Sequence, residues 1–271
     1  MASNSGLHAQ YLSVKQGSHW RRWPIVRHLR SLQYRRMQPF NQGADNGLPV
    51  IRYYWAEFLD QHRGDVQGLA LEVGGTGTIL EYGDDRLIRA DALVLSAHSP
   101  NVRVVADLSR ADHVPSDGYD CFLIQFSTAV IYDIEAALYH AVRVLKPGGV
   151  LLINFWCLDF YLHRGLDMGT GEPLYMYHWA TPIQVQNWLR SLDLNDDDFS
   201  ITIYGNLLTR MAFLMNAPAQ EFTQAELSHQ DPGQPLLICA RIVKPTEWSS
   251  AKPTYKALCR TPDIPMSLIH I

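Results

Sequence analysis

A short glycine-rich stretch, Leu69 to Thr78 (LALEVGGTGT), carries the clearest chemical signal in this 271-residue chain. An apolar run ends on Glu72 and is followed by Gly74, Gly75 and Gly77. Glycine lacks a Cβ and tolerates positive φ, so a ligand can approach bare backbone where such a strand stops. Nicotinamide dinucleotides, flavins and S-adenosylmethionine all use glycine-rich strand ends, and so does a plain turn between two strands. The stretch therefore predicts a buried strand that ends at a ligand site or at a turn.

The residues after this stretch depart from the usual nucleotide-binding pattern. In such folds the glycine turn opens a helix whose N-terminal N–H groups meet the anionic part of the ligand. Here Gly83-Asp84-Asp85 interrupts the following residues, so we expect only a short turn or hairpin. An acid roughly 20 residues past the glycines usually binds the ribose hydroxyls. Ser96-Ala97-His98 stands at that strand end instead, while Asp91 lies at the beginning of the strand.

Another acid follows a β-branched strand predicted from Val102 to Ala106. Asp107 and Leu108 would lie at the carboxyl end of this strand, which is the side on which parallel sheets bind ligands. A helix cap or turn cap is the alternative role for Asp107. The sequence leaves both roles open.

Strands and helices alternate along the body of the chain. Near-continuous apolar runs are typical of strands buried on both faces, and helices are recognised by their periodicity and caps. Helices are predicted to start at Asp133 and at Thr181, and Thr223 with Glu226 forms a predicted capping box. The alternation predicts an α/β fold with a Rossmann-like, open, mostly parallel sheet and helices on both faces. The other predicted strands are Ala92–Ser96, Tyr119–Gln125, Val150–Phe155, Phe199–Tyr204 and Leu236–Val243, and further helices are predicted at Trp20–Leu32, from Val50 to about His62, before Pro147-Gly148-Gly149, and at Leu207–Met215.

Composition divides the chain into three regions. Residues 1–44 form a basic arm with seven Lys or Arg and no acid, whereas the rest holds sixteen basic against 27 acidic residues, a net charge of −11. Residues 45–244 form the main domain, in which 156–180 is a long insertion expected to act as a lid over the substrate. Residues 245–271 form a Pro-rich tail. We expect residues 1–19 to be disordered.

The basic arm contains a predicted amphipathic helix. Trp20, Trp23, Val26, Leu29 and Leu32 recur at intervals of three, with arginines between them. This apolar side either packs on the protein's own domain or makes a peripheral contact with an anionic membrane surface. The spacing alone is compatible with both.

Several classes of protein are disfavoured by composition. The four cysteines stand far apart without a CxxC pair, so we expect reduced thiols in a cytoplasmic protein and no metal site. We expect neither a secretory leader nor a membrane-crossing helix, because the sequence shows no apolar run suited to either. We do not expect nucleic acid as a partner, because the net negative charge of the residues after the arm would repel phosphate.

Four phrases together resemble class I S-adenosylmethionine-dependent methyltransferases of the broad type 11 group: LEVGGTG, VVADL, YDCFLIQ and YHAVRVLKPGGVLLINF. The most specific is RVLKPGGVLLI, which is similar to that family's junction before the fifth strand. NGLPVIRYYWAEFL and the stretch from Ile203 to Lys244 further resemble bacterial methyltransferases associated with glycosyltransferases and surface-polysaccharide biosynthesis. The likeness covers about residues 40 to 245. It implies a seven-stranded sheet whose last strand runs antiparallel between the fifth and sixth.

The resemblance also implies which residues meet the cofactor, S-adenosylmethionine. The position that should bind the ribose hydroxyls corresponds to Ala97 or Ser96, and neither carries a carboxylate. Losing a bidentate acceptor would weaken cofactor binding by about 2 to 4 kcal/mol. The implied cofactor residues are Glu72, Gly74, Gly75 and Gly77 by the methionine half, Asp107 and Leu108 beside adenine, and Gln125 near the reacting centre.

Candidate catalytic residues lie in the insertion. Methyl transfer from a sulfonium is an in-line displacement, so most of the rate can come from positioning, and a base is needed only when the acceptor is a hydroxyl. His163 and His178 are the candidate bases, because imidazole titrates near neutral pH, and Asp159 would orient one of them. A packed structural role is the alternative for each histidine.

Two functions from different classes follow. The first is a methyltransferase acting on a small molecule or a glycan, with a glycosyltransferase as its partner. The second is a degenerate binding or scaffold module that keeps the fold without catalysis, suggested by Ala97 and by the missing helix after Thr78. A nicotinamide-dependent oxidoreductase is a weaker third reading, because GGTGTI lacks the final glycine of the GxGxxG pattern.

Overall fold

The computed structural model of the protein describes residues 6–17, 19–31, 39–40, 47–96, 102–157 and 176–256. Within these residues seven strands form one sheet, accompanied by eight α-helices. The strands are β1 (Gly68–Val73), β2 (Leu87–Val94), β3 (Val104–Val105), β4 (Tyr119–Ile124), β5 (Leu145–Trp156), β6 (Phe199–Tyr204) and β7 (Leu237–Val243). The helices are α1 (Leu7–Gln16), α2 (Pro24–Ser31), α3 (Val50–Gln61), α4 (Gly77–Gly83), α5 (Ile134–Arg143), α6 (Pro182–Arg190), α7 (Leu207–Leu214) and α8 (Gln224–Ser228).

The strands are arranged in the order β3-β2-β1-β4-β5-β7-β6. Strands β1 to β5 pair in parallel, whereas β7 is antiparallel to both β5 and β6. This confirms the predicted fold class, a Rossmann-like class I methyltransferase fold with the last strand reversed between the fifth and sixth. The strand order reverses between β1 and β4, and in open α/β sheets the crevice at such a switch point binds ligands.

The sheet is covered on both faces, each by its own hydrophobic core. On the first face, α1, α3, α4, α7 and α8 enclose a core that includes Ala70, Leu123 and Leu152. On the second face, α5 and α6 enclose a core that includes Leu71 and Ile153. Side chains alternate between faces along each strand, so residues two positions apart point the same way. This alternation decides which functional side chains meet.

Three predicted helix starts are confirmed. Asp133 caps α5 by accepting a hydrogen bond from the N–H of Ala136, and Thr181 caps α6 in the same manner. Thr223 and Glu226 form the predicted capping box before α8. These caps depend only on residues near in sequence, which is why the sequence reveals them.

The N-terminal residues contradict the expectation of disorder. Within residues 1–19, Leu7–Gln16 form α1, in which Tyr11 and Val14 are fully buried. Their rings and methyl groups lie in the first-face core, and the rings of Tyr11 and Tyr53 are 5.2 Å apart. Because this burial depends on α3, which is distant in sequence, the local polar composition gave no sign of it.

The expectation of only a turn or hairpin after Thr78 is also wrong. Gly77–Gly83 form α4, which buries Ile79 and Tyr82 in the first-face core. The helix ends at Asp84, whose φ of 49° lies in the left-handed region. Asp84 is therefore the C-cap of α4, and the seven residues before it are enough for a short helix.

The junction before β5 differs from the expected one. Helix α5 ends at Arg143, and β5 begins at Leu145 rather than at Val150. The glycines thus lie within the strand and do not end the helix. The N–H of Gly148 donates to the carbonyl of Lys244 at 2.8 Å, so the beginning of β5 is held to the end of β7.

The arm and the tail make different contacts with the domain. The apolar side chains of Trp23, just before α2, and of Leu29 within it are exposed, so at these two described positions the apolar side does not pack on the domain. Beyond Lys244, the described tail residues pack on the domain, where Trp248 donates a hydrogen bond to the carbonyl of Leu192. Within the described residues, no helix is both long and apolar enough to span a bilayer.

Candidate functional site

The three glycines after β1 stand at the switch point with open space beside them. A Cβ built on Gly74, Gly75 or Gly77 would meet no atom within 4 Å. Gly74 has a φ of 85°, which favours glycine, and its N–H donates to the carbonyl of Leu93 at 2.8 Å. The backbone therefore turns beside β2 and leaves room in which a bound molecule could contact it.

Glu72 occupies the carboxyl end of β1 and is almost fully buried. Its Oε2 accepts hydrogen bonds from the N–H groups of Thr78 and Ile79, both at 3.0 Å. These are N–H groups in the first turn of α4, which have no partner inside the helix. Glu72 thus caps a helix six residues away, which local sequence patterns do not reveal.

Gln125 follows β4 and joins the neighbouring elements through its side-chain amide. Its Nε2 donates to Glu72 Oε1 and to Thr78 Oγ1, both at 2.7 Å. Its Oε1 accepts a hydrogen bond from Trp55 Nε1 of α3 at 2.9 Å. We call Glu72, Gln125, Trp55, Thr78 and Ile79 the Glu72 network.

Charge in the Glu72 network is concentrated on one carboxyl. Burial raises the pKa of Glu72, and the hydrogen bonds from Ile79, Thr78 and Gln125 oppose part of that rise. Donors aimed at both oxygens favour the ionised form. The buried carboxyl group of Glu72 thus lies beside open glycine backbone and holds α4 and Gln125 in place there.

The acids near β2 and β3 have structural partners. Asp107 caps the turn after β3 by accepting hydrogen bonds from Ser109 N at 2.9 Å and Ser109 Oγ at 2.7 Å, while Leu108 is buried behind it. The cap role that the sequence left open is therefore present. Asp91 is buried and pairs with Arg89 at 2.8 Å, so it lies in an ion pair away from the strand end. Ala97 lies outside the described residues.

The two candidate bases stand differently in the structure. His163 and Asp159 lie outside the described residues. His178 Nε2 is 3.0 Å from the carbonyl of Tyr132, so this nitrogen donates, and its ring packs edge-on against Trp188. Trp188 belongs to the second-face core. These are the contacts of a packed residue, and a catalytic role for His178 stays a prediction.

Four residues beside the Glu72 network were not predicted from the sequence. Phe126 follows Gln125 with a φ of 53°, a conformation that costs a bulky residue roughly 1 to 3 kcal/mol and is often found at functional sites. Asn154 of β5 accepts a hydrogen bond from Phe126 N at 2.8 Å. The guanidinium of Arg52, on α3, lies 5.3 Å from the centre of the Phe126 ring. The centres of the Phe126 and Trp156 rings are 5.8 Å apart. A polar Asn154 inside the apolar run VLLINFW was the one signal in the sequence.

The cofactor residues named in the sequence analysis are only partly brought together. Glu72, the glycines and Gln125 meet at the switch point, whereas Asp107 and Leu108 stand two strands away, after the edge strand β3. In the described residues, no cluster of three or more His, Cys, Asp or Glu could hold a metal ion. The open glycine backbone fits a nucleoside-type cofactor, because side chains there would fill the space that such a molecule needs.

Comparison with known proteins gives partial matches. No protein-family model matches the chain. It is 32% identical over 100 residues to the ubiquinone/menaquinone biosynthesis C-methyltransferase UbiE of Methylobacterium nodulans, covering 36% of this chain and 38% of that protein. It is 34% identical over 84 residues to the same enzyme of a Marinomonas species, covering 30% and 34%. The chain thus matches little more than a third of the length of these curated relatives.

Solved structures resemble the fold only distantly. The DhpI–SAH complex structure superposes with a TM-score of 0.44 and 17% sequence identity, and the match covers 89% of this chain and 95% of that one. The S-adenosylmethionine-dependent methyltransferase of Mesorhizobium loti gives a TM-score of 0.42 at 15% identity, covering 69% and 96%.

Proposed function

We propose that the protein is a methyltransferase that uses S-adenosylmethionine to methylate a small molecule or a glycan. The observation that carries the proposal is the open glycine backbone at the β1–β4 switch point beside the buried carboxylate of Glu72. Two partial matches to C-methyltransferases support the same reaction class. The helix α4 also removes one of the two reasons for a degenerate module.

In the proposed reaction the protein positions two molecules rather than supplying a covalent group. The cofactor, when bound, supplies an electrophilic methyl group. The Glu72 network fixes the side chain of Gln125, after β4, before any ligand binds. The reactants therefore meet a side chain whose orientation is already set. Phe126 and Trp156 place two aromatic rings, 5.8 Å apart, next to it. His163 and His178 are the proposed bases for a hydroxyl acceptor.

A substitution at Gly75 tests the cofactor site. A valine there enters open space, so we expect the folded state to persist while S-adenosylmethionine binding weakens at least about tenfold, as a clash in the site requires. Isothermal calorimetry measures the affinity. Gly64→Val is the matched control, because a Cβ on Gly64 also meets nothing within 4 Å but lies before β1. Absence of both binding heat and thermal shift with millimolar cofactor for the natural chain would contradict the proposal and favour a scaffold role.

The proposal extends to a glycosyltransferase partner and a cytoplasmic location. The first follows from the resemblance to polysaccharide-associated methyltransferases. Three cysteines of the described residues, Cys121, Cys157 and Cys239, are free thiols, which supports a reducing compartment. Affinity capture with the tagged full chain tests the partner, and repeated capture without any glycosyltransferase would count against it.

The arm is proposed to make a peripheral contact with anionic membrane. Trp23, just before α2, is 64% exposed, and within α2 Ile25 is 75% and Leu29 56% exposed. Arg22 donates a hydrogen bond to the carbonyl of Val14 at 2.7 Å, and Arg27 forms an ion pair with Glu226. The segment is thus attached through its arginines, while the apolar side chains named above face solvent. Exposed Trp and Leu beside arginines suit the interface of an anionic bilayer.

Vesicle sedimentation tests the membrane contact. Deleting residues 1–44 would remove Tyr11 and Val14 from the core, so point substitutions are the better test. We expect the full chain to sediment with phosphatidylglycerol vesicles and much less with phosphatidylcholine ones, and Trp23→Glu with Leu29→Glu to abolish sedimentation. Equal sedimentation of the double variant would contradict the contact.

A further inference from the structure

We propose that the acceptor site, on the same face as the Glu72 network, binds an anionic group through Arg52. The acceptor would carry a carboxylate or phosphate on an apolar or aromatic body. This inference rests on the proposed function, because it names the class of molecule that would be methylated. It starts from the position of one arginine that has no ion-pair partner among the described residues.

Arg52 lies next to the Glu72 network, on the same helix as Trp55. It is three residues before Trp55 on α3, so both side chains leave the same side of the helix. Trp55 reaches Gln125, and Arg52 reaches the next residue, Phe126, with its guanidinium 5.3 Å from the ring centre. The Arg52 side chain is exposed, so a dissolved molecule can reach it.

The charge of Arg52 has no counter-ion among the described residues. Other arginines of the domain hold aspartates: Arg63 pairs with Asp84 at 3.0 Å, and Arg241 pairs with Asp65 at 2.7 Å. Guanidinium groups bind carboxylate and phosphate through two parallel hydrogen bonds. An arginine next to the proposed reacting centre, with this capacity unused by the described residues, can bind an anion.

An aromatic wall continues from Arg52 along the same face. The Phe126 ring is 5.8 Å from that of Trp156, and Trp156 is 5.8 Å from Phe213 of α7. These rings are only partly buried and pack at the edge of the first-face core. The rings meet edge to face, at 71° and 63°, and such a wall suits the flat or apolar body of a small molecule, since aromatic groups pair favourably in edge-to-face or offset arrangements.

Asn154 supplies a second, independent observation. It is fully buried two residues after Leu152, on the same face, and its Oδ1 accepts the Phe126 N–H. Its Nδ2 has no hydrogen-bond partner among the described residues. Buried donors are rarely left unpaired, and exceptions are associated with function. The same side-chain amide accepts the N–H of Phe126, the residue over which Arg52 stands, so polar capacity that the described residues leave unused lies next to the proposed site.

Binding of three matched probes to the full chain tests the proposal. 2-Naphthoate and 2-naphthyl phosphate carry the anion on an aromatic body, and 2-naphthol lacks it. We expect calorimetry or tryptophan quenching to show both anions binding at least about tenfold more tightly than 2-naphthol, the value expected for a charged hydrogen-bonded pair. The preference between the two anions identifies the group that the site takes.

Substitutions of Arg52 separate charge from shape. Arg52→Gln should weaken anion binding about tenfold or more and leave 2-naphthol unchanged, whereas Arg52→Lys should retain part of the preference. Arg190→Gln, which loses only an exposed pair with Asp196, is the control and should bind like the natural chain. Because Arg52 is exposed, thermal midpoints should remain equal, which excludes misfolding.

Two results would overturn the proposal. One is equal affinity for 2-naphthol and 2-naphthoate, and the other is unchanged anion binding in Arg52→Gln. S-adenosylmethionine affinity is measured on the same samples. If the anion preference is present but the cofactor does not bind, the proposed methyl transfer fails while the anion site stands. If the cofactor binds without an anion preference, only the assignment of Arg52 fails.

Discussion

The Glu72 network and the neighbouring group of Arg52, Phe126 and Asn154 lie on one face of the sheet but differ in how their polar groups are satisfied. Both oxygens of Glu72 and the amide of Gln125 are fully engaged with the protein. Among the described residues, Asn154 Nδ2 has no hydrogen-bond partner, and the guanidinium of Arg52 has a ring contact but no ion pair.

This difference separates support from recognition. A polar group whose partners are all within the chain stabilises the fold and holds its neighbours in place. A polar group without such partners contributes little to stability and is available for a ligand. Substitutions in the Glu72 network should therefore lower stability more than ligand binding. Substitutions in the group of Arg52, Phe126 and Asn154 should lower ligand binding more than stability.

Removing the carboxylate of Glu72 should give the largest effect. Glu72→Leu leaves the N–H groups of Thr78 and Ile79 and the Gln125 amide without their acceptor, which costs about 3 to 5 kcal/mol at roughly 1 to 3 per buried group with partial relaxation. Urea unfolding measures the loss. Glu247→Leu, at an exposed position, should change stability by less than about 0.5 kcal/mol. A loss below 1 kcal/mol for Glu72→Leu would show that the network is not a support.

The same experiment on Asn154 should give a smaller loss. Asn154→Leu removes the acceptor of the Phe126 N–H, but it also removes a buried amide group that has no partner, so the two terms partly cancel. We expect a loss of about 1 to 2 kcal/mol in urea unfolding. A loss equal to that of Glu72→Leu would erase the contrast between the two groups.

The pH dependence of unfolding gives a further test of the Glu72 network. Burial raises the pKa of Glu72 in the folded protein above its ordinary value of 4.5. The folded state then holds this proton more tightly than the unfolded chain, so the contribution of Glu72 to stability falls as pH rises from about 4.5 towards the raised pKa. In Glu72→Gln this fall should vanish, changing the slope by at most about 1.4 kcal/mol per pH unit. An unchanged slope in chemical denaturation between pH 4 and 8 would contradict the assigned direction.

How much of this site the sequence predicts depends on the distance between partners along the chain. The strands that precede Gly74 and Gln125 are apolar runs, so both strands were predictable, whereas the placement of Gln125 near the cofactor was implied only by the family resemblance. The cap that Glu72 gives to α4 and the burial of Tyr11 depend on contacts between separate elements, and the sequence did not show them.

The recognition group was missed for a different reason. Arg52 had the pattern of an ordinary solvent-facing residue on an amphipathic helix, and nothing in VIRYYWAEFL distinguishes it from the arginines that pair with aspartate. Only the three-dimensional arrangement shows that no described acid lies beside it. Patterns report which face a residue occupies, whereas the absence of a partner is a property of the folded chain.

The smallest change in stability is expected at Gly77, the first residue of α4, which belongs both to the fold and to the proposed ligand site. Gly77→Ala enters open space and reduces the freedom of the unfolded chain, so we expect about 0.5 kcal/mol of added stability and a melting temperature about 1 to 2 °C higher. Gly64→Ala, equally unobstructed, should give a similar gain without altering ligand affinity. Cofactor affinity should fall only for Gly77→Ala, because the added methyl group occupies the space beside the backbone turn. If both alanine variants gain stability and bind S-adenosylmethionine equally, the ligand does not approach the chain at this glycine, and the open space serves only the fold.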